Sequence, residues 1–172
     1  MLCDMEDFSK WSHKGIGKIG LTDERSKSGK HSLRLEAPVH PEEILGWGLG
    51  RGTCMASYDI GGVNWEGYNR LKFYIYPTCE GARSIYLNLY VENDGEIKVP
   101  DIYGREGYHE INLKNNQCNE CFVEMSGLAR DKVTKISFAI EVFGKERTMG
   151  DFLRFDVDAV ELQKVENPET VK

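Results

Sequence analysis

Apolar and polar residues alternate with a period of two along most of this chain. The alternation is clearest at residues 71–76 and 85–92, which a turn-rich segment, residues 77–81, separates. Successive side chains of a β-strand leave opposite faces, so each run predicts a strand with one apolar and one polar face. The apolar positions form a surface of the type that packs against a second sheet: Leu71, Phe73, Ile75, Ile85, Leu87, Leu89 and Val91.

The polar positions of the two runs are predicted to lie together on one concave sheet face. They combine phenol rings with an amide and a carboxylate, and Glu141 of a later strand is expected to share the face: Tyr74, Tyr76, Tyr86, Asn88, Tyr90, Glu92 and Glu141. Aromatic rings that can stack, next to groups that hydrogen-bond, suit a sugar ring. The pattern therefore predicts a carbohydrate-binding face, or else a face that a neighbouring domain or subunit covers.

A competing binding site is predicted in the loops. Loops of such folds often meet at one end, where they carry function. Four residues are candidates for this loop rim: Trp47, Trp65, Tyr103 and Arg105.

The rest of the chain predicts an all-β domain. Further alternating runs predict strands near residues 4–8, 15–22, 31–36, 53–60, 108–113, 133–143 and 152–165, and residues 126–132 predict one helical turn. About ten short strands with long connections favour a jelly-roll β-sandwich of two antiparallel sheets. We expect one domain over residues 1–165, followed by a linker or tail at residues 166–172.

Charge, hydropathy and cysteine spacing exclude several functions. The formal net charge of −6 comes without a basic stripe, so nucleic acid is not an expected partner. No apolar run reaches the ~20 residues that span a bilayer, so no membrane partner is expected. The five cysteines have no regular spacing, and Cys118-x-x-Cys121 lacks the second pair of a zinc site, which favours a structural role.

The sequence contains no motif of a known catalytic centre. It has neither a nucleophile elbow nor a zinc-protease helix. A carboxylate pair, Glu92 with Glu141, is the best candidate for glycosidic hydrolysis, which requires two carboxyl groups held ~5–9.5 Å apart. Acidic residues also bind sugar hydroxyls without catalysis, so we expect a non-catalytic protein and keep a jelly-roll glycoside hydrolase or polysaccharide lyase as the minor alternative.

Three stretches at the ends of the chain form a familiar combination: DMEDF followed by Trp11, then SGKHSLRL at residues 28–35, and FDVDAVEL at residues 155–162. Together they resemble the galactose-binding-like β-sandwich of carbohydrate-binding modules attached to polysaccharide-degrading enzymes. The resemblance implies a non-catalytic module that targets a covalently linked catalytic domain to an oligo- or polysaccharide. A structural or interaction domain that packs on a catalytic partner is the alternative, since the fold alone does not fix the ligand.

The resemblance also implies a structural calcium ion. Its ligands would be Glu6, with Asp4 as a possible second, a backbone carbonyl near Lys30, and Asp158. Calcium takes six to eight oxygen ligands, and carboxylates and carbonyls supply them. The N-terminus lacks the layout of a signal peptide, which leaves a cytoplasmic protein or a module of a longer parent. The resemblance implies a parent that is secreted, periplasmic or on the cell surface.

Overall fold

A computed structural model describes residues 2–3, 5–38, 53–80, 86–95, 108–141 and 152–166. The described residues form ten strands, as the alternation predicts, and every pairing between them is antiparallel. In chain order the strands are β1 (Trp11–Gly15), β2 (Lys18–Thr22), β3 (Ser32–Pro38), β4 (Thr53–Val63), β5 (Arg70–Glu80), β6 (Tyr86–Asn93), β7 (Tyr108–Asn112), β8 (Asn119–Glu124), β9 (Val133–Glu141) and β10 (Phe152–Gln163).

The strands divide into two five-stranded sheets. Sheet I has the order β1-β4-β9-β6-β7, and sheet II has the order β2-β3-β10-β5-β8. Strands that neighbour each other in a sheet are mostly distant in the sequence, which is what the long connections of a jelly roll produce. The predicted all-β sandwich of two antiparallel sheets is confirmed.

The core lies between the two sheets. Each strand directs its alternate apolar residues inward, so that Leu71, Phe73 and Ile75 of β5 face Ile136, Phe138 and Ile140 of β9. The rings of Phe73 and Phe138 meet edge to face in the core between the two sheets, with centroids 5.1 Å apart. This geometry is favourable for an aromatic pair. The predicted inward residues of β5 and β6 are confirmed wherever the structure describes them.

One prediction about these strands is wrong. β5 and β6 are not neighbours in one sheet, because β5 belongs to sheet II and β6 to sheet I. Their apolar faces meet across the core, and their polar faces therefore point in opposite directions. The segment predicted as a turn is also partly strand, since β5 runs through Pro77 to Glu80.

Two local predictions also differ from the structure. The N-terminal segment forms only a bridge between Cys3 and Val160, and Glu6 lies outside any strand. Met5 has a positive φ of 61°, which ends the extended backbone there. The expected helical turn at residues 126–132 is a pair of turns, the first closed by a hydrogen bond from Leu128 N to Met125 O.

Within the described part of the chain, no helix has the length and apolarity that crossing a membrane requires. The prediction of a domain boundary near residue 165 stays a prediction. β10 ends at Gln163, and most of the expected tail, residues 167–172, lies outside the described residues.

Trp65 is a core residue, and its prediction as part of a binding rim is wrong. Its side chain is 1 % exposed and belongs to the apolar cluster between the sheets. Its backbone N–H donates to Arg130 O, which holds the loop after β4 against the turns before β9. A ring this deeply buried cannot stack on a ligand in solution.

We therefore expect the Trp65→Ala variant to be less stable than the wild type. Removing a buried aromatic side chain costs about 3–5 kcal/mol of unfolding free energy. Val63→Ala, at a position that is 50 % exposed on the same segment, is the control and should change stability by less than about 0.5 kcal/mol. Urea denaturation followed by fluorescence measures both. Equal stability of Trp65→Ala and the wild type would contradict the assignment of Trp65 to the core.

Candidate functional site

The outer face of sheet I is the best candidate for a binding site. Cross-strand pairing places its outward residues in rows that run from strand to strand. One row joins Ser12, Ser57, Ser137 and Tyr90, from β1, β4, β9 and β6. A parallel row joins Met55, Ala139 and Asn88.

The centre of this face is buried, polar and uncharged. We call four of its residues the polar floor: Ser57, Asn88, Tyr90 and Ser137. The hydroxyl oxygens of Ser57 and Ser137 lie 2.7 Å apart and hydrogen-bond to each other. Neither polar atom of the Asn88 side chain has a hydrogen-bond partner, although the residue is fully buried. A buried polar group without a partner is costly and therefore calls for an explanation.

A row of charged residues borders the polar floor. Asp59, Lys135 and Glu92 occupy successive strands of sheet I, and we call them the charged row. Lys135 Nζ and Glu92 Oε2 are 3.7 Å apart, beyond hydrogen-bonding distance and on the half-buried surface. Three neighbouring strands span about 10 Å, so the row is wide enough to contact an extended ligand.

The charged row opens into a cleft of about 610 Å³. The segment before β1 and the turn after β6 form its other walls. Two lysines and two acidic residues line it together with hydroxyl groups, so its formal charge is balanced: Ser9, Lys10, Trp11, Ser12, Asp59, Glu92, Gly95, Thr134 and Lys135. Such a surface offers hydrogen-bond donors and acceptors without attracting either an anion or a cation strongly.

The outer face of sheet II has a different character, because ion pairs cover it. Arg34 donates to both carboxylate oxygens of Asp156, at 2.7 and 2.8 Å. Glu36 pairs with Lys18 and Arg154, and Lys72 pairs with Glu120 at 2.8 Å. The pKa of Glu120 is lowered, mainly by its hydrogen bond from Lys72. The charged groups of this face thus largely satisfy one another.

Tyr74 and Tyr76 lie on this second face, which corrects the prediction of a single tyrosine surface. The ring of Tyr76 lies beneath the guanidinium of Arg25, at 4.0 Å from the ring centroid. The ring of Tyr74 is flanked by the ammonium groups of Lys27 and Lys72, at 4.9 and 5.1 Å. Cations from the same chain occupy these rings, so a sugar would have to displace them in order to stack.

A second cleft of about 420 Å³ lies beside these two tyrosines. Three of the four acidic residues that line it, Glu24, Asp156 and Asp158, are engaged within the protein, and Asp23 is the fourth. Asp156 binds Arg34, and Asp158 accepts hydrogen bonds from the backbone N–H groups of Lys27 and Ser28. This cleft therefore offers fewer groups to a ligand than the cleft on sheet I.

The structure describes the remaining predicted site residues only in part. The backbones of Tyr86 and Glu141 lie in β6 and β9 of sheet I, but their side chains are outside the described residues, as are Trp47, Tyr103 and Arg105 altogether. Glu92 lies opposite Lys135, and Glu141 is six residues further along β9. Six strand residues span about 20 Å, so these two backbone positions are too far apart for a hydrolytic carboxylate pair.

Several residues of the site were not predicted from the sequence. They are the outward members of β4 and β9 and the residues before β1: Lys10, Ser12, Ser57, Asp59, Lys135 and Ser137. The signal was present, because Ser57 and Asp59 alternate with the inward-facing Ala56 and Tyr58. Small hydroxyl residues on a strand are a weaker signal of a binding face than a row of tyrosines, although they form the polar floor here.

Two of the residues expected to bind calcium, Glu6 and Asp158, accept hydrogen bonds from the backbone of the loop between β2 and β3. Glu6 Oε1 accepts hydrogen bonds from the N–H groups of Lys30 and His31, at 2.6 and 3.0 Å, and Glu6 Oε2 contacts His31 Nδ1 at 2.9 Å. Asp158 likewise accepts N–H donors. Donors of this kind stand where a cation would need oxygen ligands.

Among the described residues, no three His, Cys, Asp or Glu side chains come together as a metal site. Asp4 is outside the described residues. These carboxylates hold the loop between β2 and β3 through its backbone. Calcium stays a prediction of the resemblance, and elemental analysis with a melting curve recorded after exhaustive chelation tests it.

Comparisons with known proteins bear on the fold. The chain is similar in structure to a carbohydrate-binding module specific for non-crystalline cellulose, with a TM-score of 0.61, 16 % identity and coverage of 96 % of this chain and 95 % of that one. It is also similar to the family 11 carbohydrate-binding module of the cellulosomal cellulase Lic26A-Cel5E of Clostridium thermocellum, with a TM-score of 0.60, 15 % identity and coverage of 96 % and 94 %.

The third similar structure is of carbohydrate-binding modules from the β-sandwich superfamily. The TM-score is 0.58 and the identity 13 %, and the match covers 94 % of this chain and 62 % of the other. No known protein family and no curated protein matches the sequence. Identities this low show a shared fold, and they confirm the predicted jelly-roll β-sandwich of carbohydrate-binding modules.

The contacts of Glu6 predict a pH dependence of stability. Backbone hydrogen bonds, first from His31 and then from Lys30, hold the pKa of Glu6 at about 2, below its ordinary value of 4.5. A lowered folded-state pKa stabilises the protein above pH 4.5, and this stabilisation is lost as the pH falls through about 2. The wild type should therefore be more stable than Glu6→Gln at pH 7, and the two should converge near pH 2.

Urea denaturation at a series of pH values measures this difference. Glu166→Gln removes an exposed carboxylate beyond β10 and serves as the control, which should stay close to the wild type throughout. A gap between the wild type and Glu6→Gln that is unchanged from pH 7 to pH 2 would show that the Glu6 carboxylate does not hold the loop as described.

Proposed function

We propose that this protein is a non-catalytic carbohydrate-binding module, and that it holds an oligo- or polysaccharide on the outer face of sheet I. The observation that carries the proposal is the contrast between the two outer faces. Sheet II pairs most of its charged groups with one another, whereas sheet I has an open cleft that is lined by hydroxyl groups and by Lys135 and Glu92, which lie beyond hydrogen-bonding distance of each other. A sugar is a ligand with many hydroxyl groups and no charge, and it is complementary to the second kind of face.

The charged row would make the polar contacts with the glycan, because the residues of the polar floor are buried. Carboxylate and ammonium groups of Glu92, Asp59 and Lys135 make strong hydrogen bonds to hydroxyl groups. The long separation of Lys135 and Glu92 leaves their polar atoms available to a ligand. Tyr90 belongs to the buried polar floor, so its ring is not among the groups that a ligand would contact directly.

The affinity expected from such a site is modest. A ligand of a few sugar units that binds to a shallow site loses conformational freedom, and many of its hydroxyl groups are desolvated. Dissociation constants from micromolar to millimolar, roughly −8 to −4 kcal/mol, are therefore expected.

A wider role follows from the fold. The family 11 module with a similar structure belongs to a cellulosomal cellulase. We propose that the present module likewise directs a covalently linked carbohydrate-active enzyme to its glycan, in a secreted, periplasmic or cell-surface parent. In this proposal the module supplies binding and the linked domain supplies catalysis.

A matched pair of double variants tests the location of the site. Glu92→Gln with Lys135→Met removes two of the four charges of the cleft on sheet I, and Glu120→Gln with Lys72→Met removes an ion pair on sheet II. Exposed ion pairs contribute about 0–1 kcal/mol, so both variants should fold. The first should lose glycan affinity about tenfold or more, and the second should bind as the wild type does.

Affinity electrophoresis against a panel of polysaccharides, followed by titration calorimetry, measures these effects. If no glycan retards the wild type, the functional class is wrong, and a structural domain that packs on a catalytic partner becomes the better explanation. If the sheet II variant loses affinity and the sheet I variant does not, the function stands and the site lies on the opposite face.

A further inference from the structure

The loop between β2 and β3 places two cations on the outer face of sheet II. Arg25 and Lys27 line the cleft of about 420 Å³ on this face, and both residues are exposed. The guanidinium of Arg25 lies 4.0 Å from the ring centroid of Tyr76, and the ammonium of Lys27 lies 4.9 Å from that of Tyr74. A ligand can therefore reach both cations from solvent, and each is positioned by an aromatic ring.

The groups that position these cations are themselves held in place. The hydroxyl of Tyr76 donates to Asn116 O at 2.8 Å, which fixes the ring below the guanidinium. The carboxylates of Asp158 and Glu6 accept hydrogen bonds from four backbone N–H groups of the loop. A basic side chain that is already restrained loses less conformational freedom when a ligand binds.

Within the described ranges of the chain, no carboxylate forms an ion pair with Arg25 or Lys27. Other basic residues of this outer face differ in this respect, because Arg34, Lys72 and Arg154 each pair with an acidic side chain. The two cations of the loop thus keep their charged N–H groups for a partner from outside the protein.

Three of the four acidic residues that line the cleft have other partners. Glu24 and Asp156 both bind Arg34, whose Nη2 lies 2.9 Å from Glu24 Oε2. The pKa of Glu24 is lowered mainly by its hydrogen bond from Arg34, and Arg25 contributes less. Asp158 binds the backbone N–H groups of the loop. These three carboxylates therefore leave both cations of the loop available.

The remaining acidic neighbours are Asp23 and Glu120. The structure describes the strand neighbours of both tyrosines, which are Asp156 and Asp158 on β10 and Glu120 on β8. Glu120 binds Lys72 at 2.8 Å, and its pKa is lowered mainly by that hydrogen bond, with Lys27 contributing less. Asp23 is exposed, and no ion pair of the described residues includes it. Of the carboxylates described near the cleft, Asp23 is therefore the one that competes with an anionic ligand.

We propose that the cleft on sheet II binds the carboxylate or sulfate group of an acidic sugar between Arg25 and Lys27. The choice of a sugar as the carrier of this group rests on the proposed function. Tyr74 and Tyr76 are two residues apart on β5, so the rings below the two cations are roughly 7 Å apart. Charged N–H groups bind anionic oxygens at about 2.8 Å, so one anionic group can contact both cations.

The ligand class is a polymer of uronic acids or of sulfated sugars. The net charge of −6 repels polyanions in general, so binding has to depend on the two cations of this cleft. The cleft on sheet II is then a second site, separate from the site for uncharged glycans on sheet I.

Two variants and one control test the role of the cations. Arg25→Gln with Lys27→Gln removes both cations, and Asp23→Asn removes the competing carboxylate. Lys14→Gln with Lys164→Gln is the matched control, because it removes the same charge from two exposed lysines outside the cleft. All five positions are exposed, so the urea stability of each variant should stay close to that of the wild type.

The probes are oligogalacturonate, which carries carboxylates, sulfated dextran, and unmodified dextran as the uncharged comparison, with affinities from titration calorimetry. The wild type should bind an acidic probe, and the stronger of the two identifies the anionic group. The Arg25 and Lys27 double variant should lose about tenfold or more in that affinity, and the control should lose none. Asp23→Asn should gain about threefold. Rising salt should weaken the acidic probe, because it screens exposed charges.

Several outcomes would overturn the inference while glycan binding on sheet I stands. They are failure of both acidic probes to bind, and equal affinity of the wild type and the folded Arg25 and Lys27 double variant. Double-stranded DNA is the polyanion control, and DNA binding as tight as that of the acidic probe would show a general attraction in place of a sugar site. If the double variant does not fold, unchanged affinity of Asp23→Asn overturns the inference.

The opposite result separates this inference from the proposed site. If an acidic probe binds through Arg25 and Lys27 but no uncharged glycan binds, the site on sheet I is wrong and the cleft on sheet II stands. If no glycan of either kind binds, the proposed function and this inference are both wrong.

Discussion

The burial of one apolar layer between two sheets is the constraint on which the rest of this structure depends. The edge-to-face contact of Phe73 with Phe138, 5.1 Å between centroids, joins β5 of sheet II to β9 of sheet I at the centre of that layer. Because strand side chains alternate, every residue that points into this layer forces its neighbours to point outward. The core therefore determines which residues of each strand lie on the outer faces, such as Ser137 beside Phe138 and Asn88 beside Leu89.

The two outer faces solve the same physical problem in different ways. On sheet II, polar side chains are long and charged, and they neutralise one another across the strands, as Arg34 does with Asp156. On sheet I, the buried polar floor is uncharged, and Asn88 keeps an unpaired amide. Charged groups that pair with one another suit a face that stabilises the fold, whereas the cleft on sheet I keeps the partly exposed Lys135 and Glu92 beyond hydrogen-bonding distance of each other.

The alternation of residues predicted most of the fold, because a period of two reports directly on strands. It could not say which sheet each strand joins. An inward-facing Leu71 and an inward-facing Leu87 look alike in the sequence whether their strands pair or face each other across the core. The sequence predicts a turn at Pro77, but β5 continues through it. The proline is tolerated because β8 pairs with β5 only as far as Ile75, so it lies beyond the ladder on that side.

The candidate site was predictable to a similar extent. Outward positions on β6, among them Asn88 and Glu92, followed from the alternation. Their partners on β4 and β9 depend on which strands pair and in which register, and this is a property of the whole fold. The burial of Trp65 was not visible either, since a tryptophan in a glycine-rich loop has no periodic neighbours to show which way it faces.

NMR mapping of backbone amide chemical shifts in the ¹⁵N-labelled protein tests the central claim most directly. The protein is titrated with an oligosaccharide from a glycan that retards it in affinity electrophoresis. If the glycan binds to the outer face of sheet I, the largest shifts will come from β4, β6 and β9, around Ser57, Asn88, Glu92 and Lys135, while β3 and β5 around Arg34 and Tyr76 stay unchanged. Shifts concentrated on sheet II, around Tyr74, Tyr76 and Arg25, would contradict the account.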